Sequence, residues 1–195
     1  MKIKKILIIL LLLNLNYDHV YSVEPEIFVQ NTVDKASKIL SENISKEEKI
    51  SQLKSIAKQT VDIEGISFYS LGPVRKNLDN NKINEYFILF ESYFLKSFSS
   101  RMSEYTKPKI EVKGKKILNE NYTMVNSILV ATSERPEVKI DWRIYTKNPD
   151  NPLIRDLIIE GLSLARTQKE EFASILNSND NDINALFKAL KEFSN

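Results

Sequence analysis

The chain is 195 residues long, 42% hydrophobic, with no cysteine and a single histidine. Residues 1–22 hold that histidine, three of the 28 basic residues and one of the 26 acidic ones, which leaves 25 of each sign beyond them. This inventory excludes disulfides and thiolate nucleophiles, removes the usual zinc sites and histidine triads after residue 22, and lacks the positive excess that a nucleic-acid partner favours.

The first element is a targeting segment. Lys2, Lys4 and Lys5 precede an unbroken apolar run from Ile6 to Leu13, and a polar stretch then ends in Val20-Tyr21-Ser22. This is the layout of a secretory signal peptide, expected to be cut after Ser22. The alternative, a retained anchor, needs roughly 20 apolar residues to span a bilayer, far more than the run provides. Residues 1–22 are therefore expected to be removed, leaving 23–195 as one exported domain.

Helices are expected next. Pro25 suits a first helical turn, and Val29, Val33, Ala36 and Leu40 keep a helical stripe. Ser45-Lys46-Glu47-Glu48 is a capping-box pattern opening a helix through Ile50, Leu53, Ala57 and Val61, with Gly65 as its expected stop. Phe68, Leu71, Gly72, Pro73 and Val74 read as a short irregular apolar passage. A long helix is predicted from Ile83 towards Tyr105, ended by Lys107-Pro108.

The period then changes from helix to strand. Ile110 and Val112 precede Gly114, a second run covers Tyr122–Thr132, and Lys139–Tyr145 alternates, with Ile140, Trp142 and Ile144 on one face. Such alternation predicts an antiparallel sheet with one buried and one wet face. Asn148-Pro149-Asp150-Asn151-Pro152 is a turn, and Leu153–Ile159 is the last of about four strands. Gly161 lets this strand turn into a helix reaching Phe172, and Ile183, Leu186, Phe187, Leu190 and Phe193 mark a final short helix. The class is therefore α+β, a twisted antiparallel sheet packed against several helices.

Three constellations could bear on function. Phe87, Phe90, Phe94 and Phe98 share one helix face, and they either fill a core or line a cavity. The Trp142 face has the same two readings, since its ring N–H needs a partner or a watery cavity mouth. Glu47-Glu48 and Glu170-Glu171 diverge on their helices and cannot act as acid–base pairs. Asp156 and Glu160 are expected to serve the turn, by bonding backbone amides or Arg155.

The stretch Asp156–Phe172, DLIIEGLSLARTQKEEF, resembles the strand-to-helix signature D-[VIL]-[IV]-[VI]-E-G-[VIL]-S-[LM] of the MlaC family, also called the toluene-tolerance auxiliary component. Phe28-Val29-Gln30, Val61-Asp62-Ile63 with Leu71-Gly72, the Phe87–Phe90 helix and Ile140–Ile144 are similar to further family passages. The chain departs from the pattern at Val74-Arg75, where an aromatic is common, and at Lys169, where arginine is frequent.

The resemblance implies that sheet and helices enclose an apolar cavity holding phospholipid acyl chains. Its expected lining is Phe68, Leu71, Val74, Phe87, Phe90, Phe94, Phe98, Ile140, Trp142, Ile144, Ile158 and Leu162. The implied partners are phospholipid, an inner-membrane ABC-type lipid transporter with an MCE-type substrate-binding protein, and an outer-membrane lipoprotein–porin complex. No cofactor, metal or catalytic residue is implied. The implied role is a carrier in outer-membrane lipid asymmetry. A periplasmic chaperone or envelope interaction module with a filled core is the alternative. A carboxylate or Ser–Lys hydrolase ranks third, for want of a motif.

Overall fold

A computed structural model of the chain describes residues 23–194; the signal-like segment and its expected cleavage site after Ser22 begin outside the described residues. The order is α1 (Pro25–Ser41), α2 (Lys46–Thr60), α3 (Ile63–Leu71), a stretch of 3-10 helix (Gly72–Asn77) and α4 (Asn80–Met102). Then come β1 (Ile110–Asn119), β2 (Tyr122–Leu129), β3 (Val138–Tyr145), β4 (Leu153–Ile159), β5 (Leu162–Ser163), α5 (Leu164–Asn177) and α6 (Ile183–Ser194). The five strands form one antiparallel meander in sequence order. This is the expected α+β class, with one short strand more than expected.

Local chemistry sets the boundaries. Ser45, Asp79 and Ser163 accept hydrogen bonds from the backbone N–H groups of Glu48, Lys82 and Arg166, capping α2, α4 and α5. The β4–β5 connection is a two-residue turn in which Glu160 and Gly161 both have positive φ, 49° and 84°. That pair of left-handed residues is the signature of a tight hairpin whose twist matches its strands. The sequence reading passed straight from strand to helix here. Glutamate is an unusual first turn residue, so it gave no hairpin signal.

Alternation places Ile140, Trp142 and Ile144 on the buried sheet face, while Asp141 and Arg143 stand on the other beside Asn126 and Asp156. Helix α1 covers the β1–β2 side of the sheet. It is tied there by Gln30, whose amide accepts from the Val112 N–H at 3.2 Å and donates to the Ile110 carbonyl at 3.4 Å. The remaining helices form a second body of packing, with α4 against α2, α3 and α6, and α5 joining α3 to β4.

Gly65 does not stop a helix. Helix α2 ends at Thr60, Val61 makes an isolated parallel bridge to Ile154, and Asp62 caps a new helix containing Gly65 in its first turn. The reason lies elsewhere in the chain. A methyl group at Gly65 would sit 2.6–2.7 Å from the Arg155 guanidinium nitrogens. Arg155 is the extra residue of a β4 bulge, because Arg143 pairs with Asp156 while Ile144 pairs with Ile154.

Candidate functional site

The buried apolar side chains fall into two clusters. One joins α1 to the sheet through Val29, Val33, Val125, Ile140, Trp142, Ile144 and Ile154. The other lies among the helices, around Leu71, Tyr86, Phe90, Leu95, Phe172, Leu176, Leu186 and Leu190. Val61 packs against both and marks the seam.

The twelve expected lining residues divide along this seam. Ile140, Trp142 and Ile144 belong to the sheet cluster; Leu71, Val74, Phe90, Phe94 and Phe98 belong to the helical one. Phe68, Phe87 and Ile158 are half-buried outside both clusters, and Leu162 is 59% exposed. Two-residue strand β5 explains Leu162: it pairs Leu162 with Ile159 at the sheet margin, immediately after the tight turn.

The two sides differ in finish. Trp142 is 7% exposed, and its indole N–H donates to the Ser127 hydroxyl at 2.8 Å, which in turn donates to the Ile140 carbonyl at 3.0 Å. Its polar edge is thus satisfied inside the sheet cluster. On the helical side, Phe90, Phe94 and Phe98 form a ladder along α4. Successive ring centroids are 6.1 and 6.0 Å apart, with interplanar angles of 17° and 5°. Phe90 is fully buried at the base, whereas Phe94 and Phe98 keep part of their faces free.

Polar groups are sparse among the helices. The Tyr86 hydroxyl donates to the Ser67 carbonyl at 3.0 Å, and burial first, then the neighbouring Tyr93, pushes its pKa upward. The Ser70 hydroxyl is buried without a hydrogen-bond partner. Tyr93 donates to Gln168 at 2.7 Å, tying α4 to α5. None of these residues forms a nucleophile–base pair, and no group of three or more metal-ligating side chains occurs among the described residues.

The seam is held by charge. Arg155 pairs with Asp62 at 2.5 Å, while Asp62 also accepts from the Gly65 N–H at 2.8 Å. The same guanidinium lies 4.9 Å from the Tyr145 ring centroid. The junction after β4 is polar and closed: buried Asp156 accepts from the Ala165 N–H at 3.0 Å and from the Ser163 hydroxyl at 2.6 Å. Asp156 also lies 3.7 Å from Arg143, and Glu160 accepts from the Lys139 N–H. Both carboxylates therefore serve the turn, with Arg143 rather than Arg155 as the cationic neighbour.

Two recesses open at the surface. One, of about 430 Å³, is lined by Pro73, Val74, Asn77, Leu78, Lys82, Asn181, Asp182 and Ile183. The other, of about 450 Å³, lies between α1 and β1 and is lined by Gln30, Asp34, Ser37 and residues Pro108 to Val112. The sequence reading took only Val74 from the first of these. Its other wall comes from the α5–α6 loop, more than 100 residues further on. No helix among the described residues is long and apolar enough to cross a membrane.

Residues 30–192 match the family model described as MlaC protein. No curated protein matches the sequence. Among solved structures, the chain is similar to the phospholipid-binding protein from Ralstonia solanacearum, determined in complex with a phospholipid. That likeness has a TM-score of 0.74 at 16% sequence identity, and covers 88% of this chain and 97% of the other.

Proposed function

The chain belongs to the MlaC family, and from that premise we propose that it is a phospholipid carrier of the periplasm. Residues 1–22 act as its export signal, and 23–195 act as one lipid-binding domain. The carrier moves phospholipid between an outer-membrane lipoprotein–porin complex and an inner-membrane ABC-type transporter with its MCE-type protein. The observation that carries this reading is the family match across nearly the whole described chain. The likeness in fold to a protein solved with phospholipid supports it.

The physics of the cargo fits a carrier. Each methylene exposed to water costs about 0.8 kcal/mol, so two acyl chains of some 30 methylenes carry roughly 24 kcal/mol. No such lipid crosses water unsheathed at a useful rate. An apolar interior offers nearly the environment of a bilayer, so exchange between the two is close to balanced.

The helical side is where we place the acyl chains. The free faces of Phe94 and Phe98, together with half-buried Phe68, Phe87 and Val74, offer apolar surface whose burial by lipid releases water. Ile140, Trp142 and Ile144 act as the frame behind them, with Ile158 and Leu162 at its margin.

The test is native mass spectrometry and lipid extraction of folded protein made in a bacterial host. Bound phospholipid is the expected result, and Phe94→Asp should lower its occupancy. Wild-type protein that stays empty after incubation with phospholipid vesicles would refute the carrier and leave a protein-binding module in its place.

A further inference from the structure

The recess between the 3-10 stretch and the α5–α6 loop is where the helical apolar cluster reaches a charged rim. Its floor is apolar: Val74 and Leu78 pack against the helical cluster and Ile183 belongs to it. Its lining also includes the exposed side chains of Lys82 from α4, Asp182 from the α5–α6 loop and Asn77. Among the described residues Lys82 makes no ion pair, and Asp182 accepts from the Asn184 backbone and side-chain amides through one oxygen only.

The position of Lys82 is informative. It is exposed in the first turn of α4, whose N-terminal charge is already met by the Asp79 cap. An anionic group above the recess would give it a partner.

We propose that this recess takes the headgroup of a zwitterionic glycerophospholipid, its phosphodiester on Lys82 and its ammonium on Asp182. The assignment rests on the carrier function above and adds what that function leaves open, a seat for the headgroup and a preference among headgroups. A volume of about 430 Å³ suits a headgroup with its glycerol, at the small end of ligand sites. One positive and one negative group from separate elements match a zwitterion, whereas the glycerol of phosphatidylglycerol offers Asp182 only neutral hydroxyl donors.

The experiment loads purified protein from vesicles of equimolar phosphatidylethanolamine and phosphatidylglycerol and reads both bound lipids by mass spectrometry. Wild type should enrich phosphatidylethanolamine roughly two- to five-fold, the size of an exposed ion pair. Asp182→Asn keeps the oxygen that starts α6 and should abolish the enrichment. Lys82→Gln should lower the occupancy of both lipids by a similar factor, while Lys46→Gln on α2 changes neither.

Wild type that binds both lipids without preference, or variants that retain its ratio and occupancy, overturn the headgroup seat and leave the carrier intact. A wild type empty of lipid overturns both. Soluble glycerophosphoethanolamine should fail to displace the intact lipid; equal competition would reassign the recess to free phosphate esters.

Discussion

The sheet cluster and the helical cluster hold similar side chains but are finished differently. Beneath α1, Trp142 has its N–H bonded, its neighbours Val125 and Ile144 are wholly buried, and the strands bring them together in fixed register. Among the helices, an aromatic ladder emerges from the fully buried Phe90 to half-buried Phe94 and Phe98, and a buried serine hydroxyl lacks a partner. A filled core and the face proposed for lipid thus share one composition. What separates them is whether each ring is enclosed on all sides.

The sharpest way to break this comparison is to truncate one ring on each side. Trp142→Ala should cost about 3–5 kcal/mol in urea unfolding, since it opens a cavity and removes the donor that the Ser127 oxygen accepts from. Phe94→Ala should cost about 1 kcal/mol, roughly half of what full burial of such a side chain is worth, while still reducing bound lipid. Equal losses would mean that the helical side is as closed as the sheet.

The seam offers the next test. Gly65→Ala should push the Arg155 guanidinium from Asp62 and cost about 1–2 kcal/mol. In an Arg155→Ala background the same change should cost much less. A double-mutant cycle with no coupling would show that Gly65 is needed for its backbone instead.

The smallest effect is a pH dependence confined to the helical side. The Tyr86 phenol has an ordinary pKa of 10.0 and is pushed up by burial in the folded state. Its contribution is complete below pH 10 and declines as the pH rises above that, because only the unfolded phenol ionises readily. Tyr86→Phe should lower stability at pH 7 by about 1 kcal/mol and flatten the fall in stability between pH 10 and 11. An unchanged alkaline slope would place its origin in other groups.

The elements with strong local period were legible in the sequence. The alternation of Lys139–Tyr145, the Ser45 cap and the spacing of Phe90, Phe94 and Phe98 each report one element's geometry and stand where expected, whereas Phe87 lies outside the ladder. Helix α3 was not legible, because Gly65 in its first turn read as a stop, while the reason for that glycine is nonlocal: it makes room for a residue 90 positions away in a strand bulge. The division of the lining residues was equally hidden. Periodicity says that Trp142 and Phe94 each face inward, but only the tertiary arrangement decides that they face different clusters. The rim of the recess joins segments too distant in sequence for any spacing to suggest.

The placement of α1 has a consequence for how the molecule is made. Apart from the isolated Val61–Ile154 bridge, strands β1 to β4 pair only with sequence neighbours, so the meander forms through local hairpins. The helix covering it comes first in the chain, and Val29 precedes Ile154 by about 125 residues. At the usual 5–20 residues per second of synthesis, roughly 6–25 s separate the two. Until then the sheet that α1 covers is incomplete. The helix that completes the core is also its longest-waiting part, the segment a chaperone would have most time to hold.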